Sequence, residues 1–361
     1  MSAAWIDHAA SVSVPPDHDP VGLDTEFMRR NTYYPKLALV QAAHHAGLWL
    51  LDPLAYDAGA DVRALVASRC CVMHSASEDM EALAPLLGDT PLHLFDTQIA
   101  AALCGMGLGL SYQNLVASLL GVDIPKNETR SDWLQRPLTA NQREYAEQDV
   151  THLAELHGKL SDELARLGRR EWHAEDCEQL VQRADRHRNG ADPQPQRSFH
   201  AASDWPLEVQ ARLRRILLWR DDSARNLDKP RPWILDDAHA LALSQQPPAS
   251  APELFERVKG QRALRGPQRA ELFPLLQATA TPEELAALQP IPPAPRGAVK
   301  HAVDAMRDAV RAIAAELDLP SGLLCPRRLI EELAVTRQWP EGLQGWRKTV
   351  LEAELSPLLP A

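Results

Sequence analysis

The sequence lacks several features that would each assign it to a particular class of protein. No apolar run approaches the roughly 18 residues of a membrane-spanning helix, so no membrane association is expected. The N-terminal stretch MSAAWIDHAASVSVPPDHDP has neither a basic n-region nor an apolar h-region, so no secretory signal is expected. The five cysteines form no C-x-x-C pair and no metal-ligand spacing. This pattern favours reduced thiols in a cytoplasmic protein over a disulfide framework.

The sequence also lacks an excess of positive charge. It has 38 Lys and Arg against 49 Asp and Glu, and residues 1–160 alone hold 10 against 20. Nucleic-acid-binding proteins are usually basic, so this balance argues against a simple polyanion binder. A metal-dependent nuclease escapes the objection, because bound cations reverse the local sign of the charge. The acidic excess is therefore either a solvated face or a site for hard cations.

Proline, in contrast, is abundant, with 29 residues among 361. It concentrates in RHRNGADPQPQRS and QPIPPAPRG, which are typical of linkers between helical segments. These stretches predict three domains with boundaries at 1–185, 200–288 and 296–361, joined by linkers at 186–199 and 289–295.

The first predicted domain alternates strand and helix signals. Strands are predicted within VGLDTEF, KLALVQAA, GLWLLDP, CCVMHS and LHLFDT, and helices near 61–68, 77–87, 97–103, 111–120 and 139–166. This order predicts an α/β layer architecture with a mixed sheet. The two later domains carry apolar residues at helical spacing and are predicted to be small helical bundles.

Two acids stand out on the first of these strands. Asp24 and Glu26 are two residues apart, so both carboxylates point to the same face of the sheet. Burying neighbouring carboxylates costs several kcal/mol unless something pairs them, and a divalent cation would do so. The alternative is an edge strand with a solvated face.

Two further features are ordinary when each is taken alone. Tyr145 and Asp149 are four residues apart on a predicted helix and so share one face. Asp79 follows a predicted buried strand and lies in the first turn of a helix that Ser75 and Glu78 could cap. An acid in a first turn is normally explained by the helix dipole.

The order of these residues along the chain is distinctive. Asp-x-Glu on the first strand, Asp at a later helix start and Tyr-x-x-x-Asp on a C-terminal helix resemble the tyrosine subgroup of the DEDD 3′→5′ exonucleases, and within it the ribonuclease D family. GLDTEFMRRNTYYPKLALVQ, MHSASEDMEAL and KNETRSDWLQRPLTANQREYAEQDV are similar to its three exonuclease motifs. WPLEVQARLRRILLWRDDSARNLDKPRPWIL resembles the start of an HRDC domain, and residues 296–361 resemble a second, more divergent one.

This resemblance implies a ribonuclease H-like nuclease domain followed by two all-α HRDC domains. It also implies two divalent cations, Mg²⁺ or Mn²⁺, held by four acids. Asp24 would bridge both ions, Glu26 and Asp149 would complete the site of the ion that activates water, and Asp79 would hold the second ion. Tyr145 would orient the attacking water. Oxygen ligands without a His or Cys cage suit these metals.

Three basic residues bracket the third motif and are candidates for contact with substrate phosphates: Lys126, Arg130 and Arg136. Solvated loop charge is the alternative for each of them. Asp96 is interpreted as a helix cap, and the turn residues His44 and His45 are expected to be exposed. Seven Arg and Lys between 212 and 231 could form an RNA-binding face in the second domain, although Asp221, Asp222 and Asp228 dilute them.

The resemblance implies an exoribonuclease that trims 3′ ends of structured RNA, such as tRNA precursors, and releases 5′-mononucleotides. The alternatives are a 3′→5′ exodeoxyribonuclease, since the four acids do not distinguish ribose from deoxyribose, and a non-catalytic nucleic-acid-binding scaffold. RNA is the expected partner, with no obligate protein partner.

Overall fold

A computed structural model of the chain describes residues 3–9, 12, 17–125, 131–190 and 192–360, with the backbone alone at 187–189. The chain divides into two compact units. Unit 1 comprises Met1–Met28, Pro35–Arg188 and His301–Ala361, and unit 2 comprises Arg29–Tyr34 and Asn189–Lys300. No helix in the described ranges is long and apolar enough to cross a membrane.

Unit 1 contains a six-stranded mixed sheet with the strand order β1-β4-β3-β2-β5-β6. The strands are β1 (Ala4–Ile6), β2 (Val21–Met28), β3 (Lys36–His44), β4 (Gly47–Leu51), β5 (Cys70–Met73) and β6 (His93–Asp96). Strands β2, β3 and β4 pair antiparallel, whereas β1 pairs with β4, β5 with β2 and β6 with β5 in parallel. The mixed sheet predicted from the sequence is therefore confirmed.

The central strand β2 shows why this sequence forms a strand here. Val21 and Leu23 are fully buried, and Thr25 is nearly so. Asp24 and Glu26, which alternate with them along the strand, are half-buried. This alternation places the apolar side chains on one face and the acids on the other. The pairing of β2 with β3 shifts register between Glu26 and Phe27. Such irregularities occur frequently beside active sites.

Helices flank the sheet in unit 1. Those in the first part of the chain are α1 (Gly59–Val66), α2 (Ser77–Leu87), α3 (Thr97–Leu103), α4 (Tyr112–Leu120), α5 (Ala140–Thr151), α6 (Leu153–Arg166) and α7 (Arg170–Asn189). The apolar face of the sheet packs with α1 and α2 in a core that includes Leu23, Met73 and Leu83. A second cluster, which includes Leu39, Trp133 and Ala146, packs α5 against β3 and β4.

The C-terminal helices also belong to unit 1, except for residues 297–300 at the start of the first of them, which fall in unit 2. They are α14 (Gly297–Glu316), α15 (Ser321–Leu324), α16 (Arg327–Thr336) and α17 (Trp346–Leu355). The buried Asp176 on α7 accepts hydrogen bonds from the indole Nε1 of Trp346 at 3.0 Å and from Arg347 Nη2 at 2.9 Å. The rings of Trp172 and Trp346 stack at 4.4 Å between centroids. Residues 301–361 are thus built into the same unit as the sheet.

Unit 2 is helical. Its helices are α8 (Leu207–Leu227), α9 (Arg231–Ile234), α10 (Asp237–Gln245), α11 (Ala251–Arg257), α12 (Gly266–Gln277) and α13 (Pro282–Ala286). Tyr33 joins its core, and the Tyr33 hydroxyl donates to Asp221 Oδ1 at 3.0 Å. Thr281 and Glu284 form a reciprocal capping box at the start of α13.

The two proline-rich stretches are tied to each other within unit 2. The side-chain amide of Gln196 donates to the Gln289 carbonyl at 2.8 Å, and Ile291 is buried with its N–H donating to Gln210 Oε1 at 2.8 Å. Parts of both predicted linkers, within 192–199 and 289–295, therefore pack in that unit, and the predicted domain boundaries stay a prediction. The assignment of 200–288 and 296–361 as HRDC domains stays a prediction.

The helices predicted in the first domain are present, but the prediction lacks β1 and α7 and differs in its last helix. β1 is absent from the prediction, because three residues are too few to give a periodic signal. The helix predicted over 139–166 is interrupted at His152, which separates α5 from α6.

Candidate active site

Three carboxylates meet where β2 passes beneath α5. Asp24 and Glu26 lie on one face of β2, and Asp149 lies on α5, which packs over β2 and β3. Each offers one oxygen atom, and these oxygens all lie within 4.8 Å of one another. The strand brings the first two acids together, and only the packing of α5 on the sheet brings the third.

The start of α5 is fixed by local sequence. The Thr139 hydroxyl accepts from the Gln142 N–H at 3.2 Å, and the Gln142 side chain accepts from the Thr139 N–H at 3.0 Å. This reciprocal capping box defines where the helix begins. Tyr145 and Asp149 then follow one turn apart, and the Tyr145 hydroxyl hydrogen-bonds the Asp149 carboxylate.

Asp79 is the fourth acid and is held differently. It lies in the first turn of α2 and is buried, and the Thr25 hydroxyl donates a hydrogen bond to its Oδ1. It is not a member of the close group of three oxygens. Its charge nevertheless raises the pKa of Asp24, of Glu26 and of Asp149. The structure therefore brings all four predicted acids into one electrostatic site.

The four acids carry raised pKa values, chiefly because burial disfavours the charged form. Burial and then the neighbouring acids raise the pKa of Asp24 well above its usual range and that of Glu26 to about 9. Burial is also the largest cause for Asp79, whose pKa rises to about 6, and for Asp149, whose pKa rises to about 7.

No Lys, Arg or His side chain in the described ranges forms an ion pair with these four acids. Gln41 lies directly opposite Asp24 on β3, and cross-strand partners share one face of a sheet. Its side chain is fully buried, and neither amide atom has a hydrogen-bond partner among the described residues. Oxygen-only donors, mutual repulsion and an unsatisfied neighbouring amide fit hard, hydrated divalent cations.

Tyr145 faces this cluster in its neutral form. Burial and the charges of Asp149, Glu26 and Asp24 raise the pKa of its hydroxyl above its ordinary value near 10. A phenol in this state keeps its proton at neutral pH. Tyr145 is therefore equipped to orient a ligand by hydrogen bonding and is a poor general base.

Asp96 binds the backbone of the turn that precedes Asp79. Its carboxylate caps α3 by accepting from the Gln98 N–H at 2.8 Å, which confirms the interpretation of Asp96 as a helix cap. The same carboxylate accepts from the N–H groups of Ser75 at 3.2 Å and Ala76 at 2.8 Å. The predicted cap on α2 from Ser75 and Glu78 is wrong, because the N-cap is Ala76 with no side-chain cap.

The predicted phosphate-binding residues have different outcomes. Lys126 and Arg130 lie outside the described residues. Arg136 donates to both oxygens of the buried Asp52, at 2.6 and 2.7 Å, and to the Ala38 carbonyl at 2.6 Å. A phosphate at Arg136 would have to compete with these bonds.

The expectation for the two turn histidines is half wrong. The side chain of His44 is fully buried and its Nε2 lies 3.2 Å from Asp17 Oδ1, whereas His45 is exposed with Nδ1 3.0 Å from Asp19 Oδ2. These four residues could together hold a metal ion. Their donor atoms already pair with one another, so the contacts account for the group without an ion.

Sequence reasoning missed Thr25 and Gln41. Both stand inside the motif that revealed the site, Thr25 between the two acids and Gln41 within KLALVQ. The only available signal was a polar residue on a strand that is otherwise buried. The hydrogen bond from Thr25 to Asp79 depends on the position of α2, and the place of Gln41 opposite Asp24 depends on the strand register. Neither relation can be seen in the sequence alone.

The mixed sheet and its four-acid site define a class, the 3′→5′ exonucleases, and a family model described as 3′-5′ exonuclease matches residues 5–165. The chain is 41% identical to ribonuclease D of Xanthomonas oryzae pv. oryzae over 94% of this chain and 93% of that protein. It is 34% identical to ribonuclease D of Pseudomonas paraeruginosa over 91% of this chain and 89% of that protein.

The crystal structure of Escherichia coli RNase D, described as an exoribonuclease involved in structured RNA processing, superposes with a TM-score of 0.81 at 26% identity and covers 99% of both chains. The chain belongs to the ribonuclease D family of 3′→5′ exoribonucleases, whose fold implies dependence on divalent metal ions.

Proposed function

We propose that this chain trims the 3′ ends of structured RNA, tRNA precursors among them, and releases 5′-mononucleotides by hydrolysis that depends on two divalent cations, Mg²⁺ or Mn²⁺. The proposal is carried by one observation, the convergence of three half-buried carboxylates and the buried Asp79, none of which has a cationic partner among the described residues. The same proposal places the chain in the cytoplasm and gives it RNA as its partner.

Asp24, Glu26 and Asp149 would hold one cation, and Asp24 and Asp79 the other. Asp24 is the natural shared ligand, because its pKa responds to the charges of all three other acids. Bound divalent cations supply an activated water at neutral pH and neutralise charge on the leaving 3′ oxygen. The raised pKa values mean that cation binding must release protons from the site.

The chain's own groups then do the positioning. The Tyr145 hydroxyl, protonated and within hydrogen-bonding reach of Asp149, would hold the attacking water in line with the phosphodiester. The Thr25 hydroxyl fixes the Asp79 carboxylate from the buried side of β2. Asp96 restrains the turn that precedes Asp79 through two backbone amides.

We also propose that the helices of 200–288 and 296–361 are HRDC modules that increase affinity for longer RNA. The all-helical build of unit 2 supports this for the first module. Several of the seven basic residues between 212 and 231 form ion pairs with acidic side chains. Arg215 pairs with Glu284, Arg220 with Asp237, and Arg225 and Arg231 with Asp221.

The test is digestion of matched RNA and DNA duplexes, each with a 3′ single-stranded extension, in Mg²⁺, Mn²⁺ or EDTA, with products resolved by length. We expect a ladder of RNA products that shorten from the 3′ end, mononucleotide release, and no reaction in EDTA. Asp24→Asn and Asp149→Asn should lower turnover by several orders of magnitude.

Glu144→Gln is the matched control, since Glu144 is an exposed acid on the same helix as Asp149. It should retain wild-type rates. An Asp149→Asn variant with more than a tenth of wild-type activity would contradict the ligand assignment. Faster digestion of the DNA substrate would favour the exodeoxyribonuclease alternative.

A further inference from the structure

The helix that carries Tyr145 and Asp149 is interrupted close to the site. α5 ends at Thr151 and α6 begins at Leu153, although no proline or glycine occurs between them. In a continuous α-helix the N–H of His152 would donate to the carbonyl of Gln148, four residues earlier. Gln148 is the residue immediately before Asp149.

A side chain from another helix takes the place of that bond. The hydroxyl of Tyr112, the first residue of α4, donates to the Gln148 carbonyl at 3.0 Å and accepts from the His152 N–H at 3.2 Å. Both groups of the missing helical bond are thus satisfied by one oxygen atom. Insertion of a side chain into the backbone ladder is a known cause of helix kinks.

Tyr112 is itself held firmly. The residue is only 6% exposed, and it is the first after the Ser111 cap of α4. The His74 ring packs edge-on against it at 5.7 Å, and His74 Nε2 contacts the Leu110 carbonyl at 3.0 Å. The hydroxyl is therefore delivered by a side chain that has little freedom to move.

The opposite side of the α5–α6 junction rests on the sheet at Gly22. A Cβ atom at Gly22 would lie 3.0 Å from the Cβ of Leu153 and 3.3 Å from the Val150 carbonyl oxygen. Gly22 is two residues before Asp24 on the same strand. The junction is thus clamped between the Tyr112 hydroxyl and the strand that carries two of the four acids.

We infer that Tyr112 is a positioning residue. By bonding the Gln148 carbonyl and the His152 N–H where α5 ends, its hydroxyl sets the placement of Asp149 against Asp24 and Glu26, and with it the affinity of the site for divalent cations. This inference rests on the proposed function, in which Asp149 is a metal ligand. Tyr112 is not among the residues proposed to hold the cations, and its hydroxyl contacts the backbone of Gln148 and His152. The competing explanation is that the hydroxyl merely satisfies two buried backbone groups.

The test is Tyr112→Phe in the full chain, which keeps the ring and removes only the hydroxyl. Mn²⁺ binding measured by calorimetry without RNA should weaken about 10–100-fold, the range expected when a group that supports a metal ligand is lost. The Mn²⁺ concentration for half-maximal activity should rise by a similar factor, with KM for RNA unchanged at saturating Mn²⁺. Amide exchange at His152 should change in the metal-free protein.

Tyr56→Phe is the matched control, because the Tyr56 hydroxyl donates to Asp61 Oδ2 at 2.9 Å in the same unit but away from the four acids. It should lose stability without a change in Mn²⁺ affinity. Gly22→Ala perturbs the junction from the sheet side and should also weaken Mn²⁺ binding, which keeps the inference testable if Tyr112→Phe folds poorly.

Wild-type Mn²⁺ affinity in a folded Tyr112→Phe variant would overturn the inference, as would a loss of stability alone that matches Tyr56→Phe. If Tyr112→Phe does not fold, wild-type Mn²⁺ affinity in Gly22→Ala would overturn it. Full activity of Asp149→Asn would instead overturn the proposed function. The two failures are therefore distinguishable.

Discussion

The metal-free protein should lose stability as the pH rises from 7 to 8, because its acidic site binds protons more tightly than the unfolded chain does. Glu26 has a folded pKa of about 9 and Asp24 one well above the usual range, whereas both would ionise near pH 4 when unfolded. Where the native state holds more protons, the free energy of unfolding falls as pH rises. The unfolded histidines titrate below this window, and thiols titrate above it.

The magnitude follows from the number of protons retained. Glu26, still largely protonated at pH 8, contributes a loss of about 1.4 kcal/mol per pH unit. For a unit of this size that corresponds to a decrease in Tm of roughly 3–6 °C per pH unit from Glu26 alone. Mg²⁺ should reverse the trend, since it binds the ionised acids and competes with their protons.

The assay is thermal unfolding in EDTA and in Mg²⁺ at several pH values between 7 and 8. The transition of unit 1 is identified as the one that Mg²⁺ raises. Glu26→Gln should flatten the pH dependence in EDTA and hold or raise Tm, whereas Glu144→Gln, on the exposed face of α5, should leave the slope unchanged. A flat or rising Tm for the wild-type protein in EDTA would refute the electrostatic reasoning.

Three further predictions concern groups around the site and in the C-terminal helices. Tyr145→Phe should slow single-turnover RNA hydrolysis by roughly 10²–10⁴-fold while Mn²⁺ and RNA binding persist, since only the hydroxyl that orients water is lost. Asp96→Ala should destabilise unit 1 by about 1–2 kcal/mol through loss of the α3 cap. It should also raise the Mg²⁺ concentration needed for activity, because the Ala76 N–H loses its partner near Asp79. Arg347→Ala should cost about 3–5 kcal/mol because it leaves Asp176 buried and unpaired, and deletion of 200–361 should therefore leave a poorly folded nuclease.

Each of these has a clear contrary result. Wild-type single-turnover rates for the Tyr145 variant, or a collapse of its metal affinity, would remove the role given to the hydroxyl. An unchanged Mg²⁺ requirement in the Asp96 variant would limit Asp96 to helix capping. A folded, active chain without residues 200–361 would show that the C-terminal helices are dispensable for the nuclease, as the modular interpretation of the sequence predicts.

Where local pattern decides the conformation, the sequence was sufficient. The alternation in VGLDTEF predicted β2 and put Asp24 and Glu26 on one face, and the spacing of Tyr145 and Asp149 put both on one face of α5. The order of the acids along the chain carried the resemblance to the family. These features depend on period and on residue type, which a single sequence displays directly.

Tertiary packing decided what local pattern could not. His44 is buried although its neighbour His45 is exposed, because β3 extends through His44 before the turn. The helix predicted over 139–166 is divided by a hydroxyl from Tyr112, which is forty residues earlier in the chain than His152. Such long-range contacts leave no periodic trace in the segments that they alter.

The sequence by itself therefore predicted five of the six described strands, most of the helices around them, the four acids and the class of chemistry that oxygen ligands support. Only the tertiary structure decided that the C-terminal helices are built into the same unit as the sheet, through the pair of Asp176 and Arg347, and that the donors of Arg136 are engaged by Asp52 and the Ala38 carbonyl. The physical reason is that burial and pairing of charges depend on which distant segments meet. A carboxylate or guanidinium has the same identity in the sequence whether it faces water, a partner or a metal site.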